Sequence, residues 1–152
     1  MKTKSTIKKI AQIAIVMLFS ASVAVAQSTS TPEIKINKIP PLGQEGNAEG
    51  QVVWSKLTPE KTEQYAVIAM VHATWPGGGG YYVKPYNHHY LNQIEPDGSF
   101  SIEITTGPND DYQVKDVTFY FVKRAGFKLD LKNVNPTMMD NKYLAKKWSS
   151  RK

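Results

Sequence analysis

The sequence predicts an all-β protein, an antiparallel β-sandwich of seven or eight strands folded as a single domain. Three observations predict it. Short segments of period-two alternation follow one another, separated by Gly, Pro, Asn or Asp clusters at spacings of about 8–12 residues. The longest apolar run, residues 65–73 (YAVIAMVHA), is rich in β-branched residues and leads into Trp-Pro-Gly, which suits a strand buried on both faces better than a helix. Helical periodicity is scarce, and no segment shows heptads or an internal repeat.

The first 26 of the 152 residues have the layout of a secretory signal peptide. Lys2, Lys4, Lys8 and Lys9 precede an apolar run over 10–19, and Ala24-Val25-Ala26 is a small-x-small site with the cut expected before Gln27. The run falls short of the roughly 20 apolar residues a membrane-spanning helix needs. A secreted or periplasmic bacterial protein is therefore expected, with no transmembrane segment after signal removal. Cysteine is absent, which excludes disulfides, thiol catalysis, thiolate metal sites and a lipidated N-terminal cysteine.

The formal charge of +6 falls to +2 over residues 27–152, and it is segregated. Residues 27–122 hold 6 basic and 11 acidic groups; residues 123–152 hold 9 basic and 2 acidic. This basic C-terminal segment reads as a solvated face, and no nucleic-acid-binding motif accompanies it.

Taken in order, 27–32 (QSTSTP) is a flexible lead-in, and 33–152 is the sandwich domain. Residues 33–38 alternate about Ile34 and Ile36, and Pro40 and Pro41 close that strand. Residues 50–57 form a second strand with Val52 and Trp54 on one face, and 58–61 form a turn opened by proline. Residues 65–73 are the central strand. Gly77, Gly78, Gly79 and Gly80 then read as a flexible hairpin loop, and 81–83 as the following strand. Residues 89–94 and 99–105 flank a tight turn at Asp97 and Gly98, the signature of a hairpin. Residues 114–123 are a core strand and 128–131 a short edge segment. Residues 137–141 suit a helical turn, and 144–150 fit either a closing strand or a basic amphipathic helix.

The chain carries no G-x-S-x-G, H-E-x-x-H or Walker loop, and no nucleophile–base set is visible, so a non-enzymatic protein without cofactor is expected. His88 and His89 are adjacent and would point to opposite faces of a strand, which gives no convergent metal site. His72 lies in the most apolar strand, where it faces the core or a partner residue. Asn109, Asp110 and Asp111 lack the spacing of a calcium loop. What remains is aromatic: five of the sixteen residues 75–90 are Trp or Tyr. A sugar ring presents an apolar C–H face to such rings and hydroxyls to polar neighbours. The candidate ligand-binding residues are Trp75, Tyr82, Tyr86 and Tyr90 for stacking, with Lys84, Asn87 and His88 for hydrogen bonds. Alternation sets Tyr81 and Val83 opposite Tyr82 and Lys84, so only part of the cluster can share one surface.

Segments K-I-P-P-L-G (38–43), A-E-G-Q-V (48–52), Y-Y-V-K-P-Y (81–86), I-E-P-D-G-S-F (94–100) and I-T-T-G-P-N-D (104–110) follow in order. This pattern resembles a bacterial extracellular immunoglobulin-like β-sandwich module of about 100 residues, sometimes found beside carbohydrate-active domains. The resemblance spans 34–123. It departs at Tyr81 and Tyr82, where the pattern often has Trp-Trp, a change that weakens stacking. The resemblance implies the immunoglobulin-like fold and the extracellular location, and tilts function toward glycan or surface binding. The expected function is thus a secreted, non-catalytic module that recognises carbohydrate or another cell-envelope component. The alternative is a structural or protein–protein interaction sandwich whose aromatics form the core.

Overall fold

The computed structural model describes residues 31–85, 89–105 and 113–152. Residues 1–30, which hold the expected signal peptide and most of the expected lead-in, and residues 86–88 and 106–112 lie outside them. Seven strands occur among the described residues: β1 (Glu33–Lys38), β2 (Asn47–Val53), β3 (Tyr65–Trp75), β4 (Gly78–Lys84), β5 (Ser99–Glu103), β6 (Gln113–Lys123) and β7 (Ala145–Ser150). They form two antiparallel sheets, one ordered β1-β2-β5 and the other β4-β3-β6-β7. The all-β reading of the sequence therefore holds, and residues 144–150 contribute a strand rather than a helix.

Alternation gives each sheet an apolar face, and the two faces pack together. Ile34, Ala48, Val52, Phe100 and Ile102 from the three-stranded sheet meet Val67, Ala69, Val71, Val117, Phe119 and Phe121 from the four-stranded one. Phe100 and Phe119 bridge the layers with ring centroids 5.6 Å apart.

The central strands β3 and β6 bury their other face too. Ala66, Ile68, Met70, Tyr120 and Val122 form a second core, covered by Phe127, Leu129, Leu131, Val134, Met138 and Met139 from the segment between β6 and β7. Two-sided burial is why 65–73 is apolar at every position but His72. Burial also raises the Tyr120 phenol above its ordinary pKa. The expected edge strand at 128–131 is instead irregular chain whose leucines cover this face. A 3₁₀ turn at Pro59–Gln64 and another at Pro136–Met139 match the expected turns; Asn135 caps the second by accepting from Thr137 N at 3.1 Å.

The expected hairpin of 89–94 with 99–105 does not form. The turn itself is present: Gly98 has φ 86° and its N–H donates to Glu95 O at 2.8 Å. The flanks, however, go to different sheets. Asn92 exchanges backbone hydrogen bonds with Val67 of β3, at 3.0 and 3.2 Å, whereas β5 pairs with β2. The Asn92 side chain fixes this crossing by donating to the carbonyls of Val67, Lys84 and Tyr90.

At that turn Asp97 Oδ1 accepts from Ser99 N at 2.9 Å, and the Ser99 hydroxyl and N–H hold the Asp97 carboxyl below its ordinary pKa. A depressed carboxyl contributes stability above its unfolded pKa and loses it as pH falls through its folded value. The stability gap between the wild type and Asp97→Ala, read from urea midpoints, is accordingly expected at pH 7 and should close as the solution is acidified through the carboxylate range.

The chain after β7 is anchored by Arg151, which is 8% exposed. Its guanidinium donates to Pro40 O at 2.9 Å, Val114 O at 3.0 Å and Gln44 O at 2.6 Å, and also to Pro41 O. Leu42 N donates in turn to Lys152 O at 3.2 Å. This single side chain ties the C-terminus and the start of β6 to the loop between β1 and β2.

Candidate functional site

The first part of the aromatic stretch, residues 75–84, lies in the β3–β4 hairpin. Pro76 and Gly77 form its two-residue turn, with Gly77 at φ 85°. Gly78, Gly79 and Gly80 lie within β4 rather than in a loop, which corrects the expected flexible connection. The reason is Trp75. A β-carbon built on Gly78 would stand 3.0 Å from the indole Nε1 and 3.2 Å from Cε2, and one on Gly80 would stand 3.4 Å from Cη2. The indole lies across the two glycines, and their missing side chains let it rest on bare strand backbone.

Register divides the seven expected ligand-binding residues. Trp75, Tyr82 and Lys84 belong to the face that looks toward the three-stranded sheet. The Trp75 and Tyr82 rings are 6.3 Å apart and tilted by 50°, so they do not form one plane; both are half-buried, and Tyr82 packs on the inter-sheet core. Lys84 is 3% exposed and donates from Nζ to Thr105 O at 2.9 Å, so its ammonium ties β4 to the chain just after β5 inside the fold. Tyr90 packs on the second core, with its hydroxyl accepting from Leu129 N at 3.2 Å. Tyr86, Asn87 and His88 lie outside the described residues.

A different constellation occupies the outer face of the four-stranded sheet. Tyr81, His72, Asp116 and Ser150 are direct register partners across β4, β3, β6 and β7. They form one row that crosses the whole sheet, about 14 Å at ordinary strand spacing. The His72 and Tyr81 rings stack, with centroids 4.8 Å apart and planes at 22°. His72 Nδ1 is 3.2 Å from Asp116 Oδ2. When Nδ1 carries the proton for this bond, Nε2 is left as an acceptor. The next row contains Met70, Thr118 and Trp148. Trp148 is 59% exposed on the outermost strand of the sheet. A bulge in β6 after His72 leaves Lys115 out of the ladder beside Asp116, and such bulges re-aim neighbouring side chains.

The signal in the sequence for this row is a histidine and an aspartate interrupting the two most apolar strands. Their partnership crosses 44 residues and two register relations, which local pattern does not contain. Chemically the row offers a carboxylate, a ring nitrogen and hydroxyls beside an exposed indole. Asp116 stands between His72 and Ser150, which is not the order that lets a histidine activate a serine. Among the described residues, no three His, Cys, Asp or Glu converge on a possible metal position. No family model, curated protein or solved structure matches this chain.

Proposed function

We propose that this protein is an exported, non-catalytic binding module that recognises carbohydrate or another cell-envelope component on the outer face of its four-stranded sheet. The observation that carries the reading is Trp148, a 59% exposed indole on the same sheet face as the Tyr81–His72–Asp116–Ser150 row. A large exposed aromatic is costly to leave in water and gains most when it covers another amphipathic ring. A sugar stacked on Trp148 would turn its hydroxyls toward Asp116, Thr118 and Ser150. The strand order supports an immunoglobulin-like fold: with β1 to β7 lettered A, B, C, C′, E, F and G, the sheets are ABE and C′CFG. The signal-like leader supports export, and no helix among the described residues is long and apolar enough to cross a membrane.

The test is tryptophan fluorescence titrated with soluble polysaccharides and peptidoglycan fragments. A saturable shift is expected, weakened by about tenfold or more in Trp148→Ala, as for loss of one stacking contact. Asp116→Ala should weaken it too. A shift that survives Trp148→Ala and is lost in Trp75→Ala moves the site to the hairpin. No shift with any glycan, at unchanged thermal stability, ends the carbohydrate reading. The second reading is a protein-interaction sandwich, and the packing of Tyr82 and Tyr90 against the two cores favours it. Its contact would be the outer edge of β7.

A further inference from the structure

The basic C-terminal segment does not fold as one evenly charged face. Arg151 is consumed by the backbone clamp. Lys123, Lys128 and Lys142 instead line one cavity of about 390 Å³, where the end of β6 and the turn after it meet the approach to β7. Asn141, Phe127 and Tyr143 complete its working wall. The cavity is set by main-chain bonds rather than by loose side chains. Phe127 N donates to Arg124 O at 3.1 Å, Lys142 N to Met139 O at 3.0 Å, and Leu144 N to Phe121 O at 2.7 Å.

No acidic residue lines it. Of the two acids in 123–152, Asp130 is engaged by Lys132 N and Asn133 Nδ2, both at 3.0 Å, and Asp140 is outside the lining. The two ion pairs among the described residues, Lys38–Glu49 and His72–Asp116, leave these three lysines unused. A fourth cation stands close: Lys146 Nζ lies 5.5 Å from the centroid of the Tyr143 ring. Like charges gathered around a concavity raise the potential there and attract a counter-charge. Clustering them costs stability unless an anion occupies the centre.

We infer that this cavity binds a sugar-sized anion, one ring bearing a phosphate or carboxylate. Its volume falls in the range of small-molecule sites, roughly 300–1,000 Å³. Lysine ammoniums suit phosphate or carboxylate as point charges, and Phe127 and Tyr143 supply the apolar wall a ring requires. The site lies at the opposite end of β7 from Ser150, beside Leu144, so it stands whether or not Trp148 binds glycan.

Amide chemical shifts of the protein are followed by NMR during titration with glucose 6-phosphate, glucuronate, inorganic phosphate and glucose. Saturable shifts are expected at Phe127, Lys128 and residues 141–144 with the two anionic sugars, and the tighter of these identifies the preferred anion. Binding should weaken with added salt, since charges near the surface are screened over about 8 Å at physiological ionic strength. The triple variant Lys123→Gln/Lys128→Gln/Lys142→Gln changes exposed side chains, melts no lower than wild type and should lose at least about tenfold in affinity. Lys132→Gln, outside the cavity, should not. Full affinity in the triple variant, equal shifts with neutral glucose, or no saturable shift with either anionic sugar overturns the inference. Inorganic phosphate binding as tightly as glucose 6-phosphate overturns the ring-sized part of it.

Discussion

Arg151→Ala is expected to lose about 3–5 kcal/mol of folding stability in urea denaturation, out of the roughly 5–15 kcal/mol typical of a domain. Arg151 is 8% exposed, and its guanidinium is the donor for carbonyls of Pro40, Pro41, Gln44 and Val114. Each carbonyl left buried without a donor costs about 1–3 kcal/mol, discounted where water reaches the loop. Among the described residues the group has no carboxylate partner, so removing it strands no opposite charge, and this sets the upper end of the range. Arg151→Lys should restore under half of the loss, because one ammonium cannot follow four acceptors that a planar fork reaches from different nitrogens. Lys152→Ala keeps the main-chain oxygen that accepts from Leu42 and should stay within about 0.5 kcal/mol of wild type. A loss under about 1 kcal/mol in Arg151→Ala would show that the clamp is redundant with β7 pairing.

The second large effect is expected at Gly50, where Gly50→Ala should cost about 3 kcal/mol. Alanine is ordinarily the better strand residue, so the sign is set by contact rather than propensity. A β-carbon there would lie 2.5 Å from Cζ of Phe100 and 2.6 Å from the backbone oxygen of Lys35. The ring is pinned against Phe119, and the oxygen belongs to β1, so neither gives way cheaply. Phe100→Leu removes the ring contact but leaves the oxygen. The double variant should therefore be more stable than the two single losses predict, by about 1 kcal/mol, yet still below Phe100→Leu alone. Additive losses would mean that the Lys35 contact carries the whole penalty.

The candidate site was legible only in its ingredients. Residues 75–84 do lie in a hairpin that carries Trp75, Tyr81 and Tyr82, but Lys84, read as a surface hydrogen-bond donor, is 3% exposed and bonded to Thr105 O. Strand β4 has aromatics on both faces, Tyr81 on one and Tyr82 on the other, so alternation separates the two sets without saying which is inside. The glycines beside Trp75 read as a loop because strand propensity disfavours them; the indole lying over Gly78 and Gly80 outweighs that preference. Trp148 was legible as one residue of a closing strand, but its exposure beside Asp116 and Ser150 was not.

Taken alone, the sequence determined what depends on local backbone geometry. The period-two segments, the proline-opened turns, the positive-φ glycine at 98 and the double burial of 65–73 all follow from neighbours within a few residues. Tertiary structure decided which sheet each strand joined, which face turned inward and what met across the ladders. It sent residues 92 and 99 to different sheets, aligned His72 with Asp116, drew Arg151 onto Pro40 and gathered three lysines around one cavity. The physical reason is that register and burial are settled by pairing between segments tens of residues apart, where total packing outweighs any single local preference.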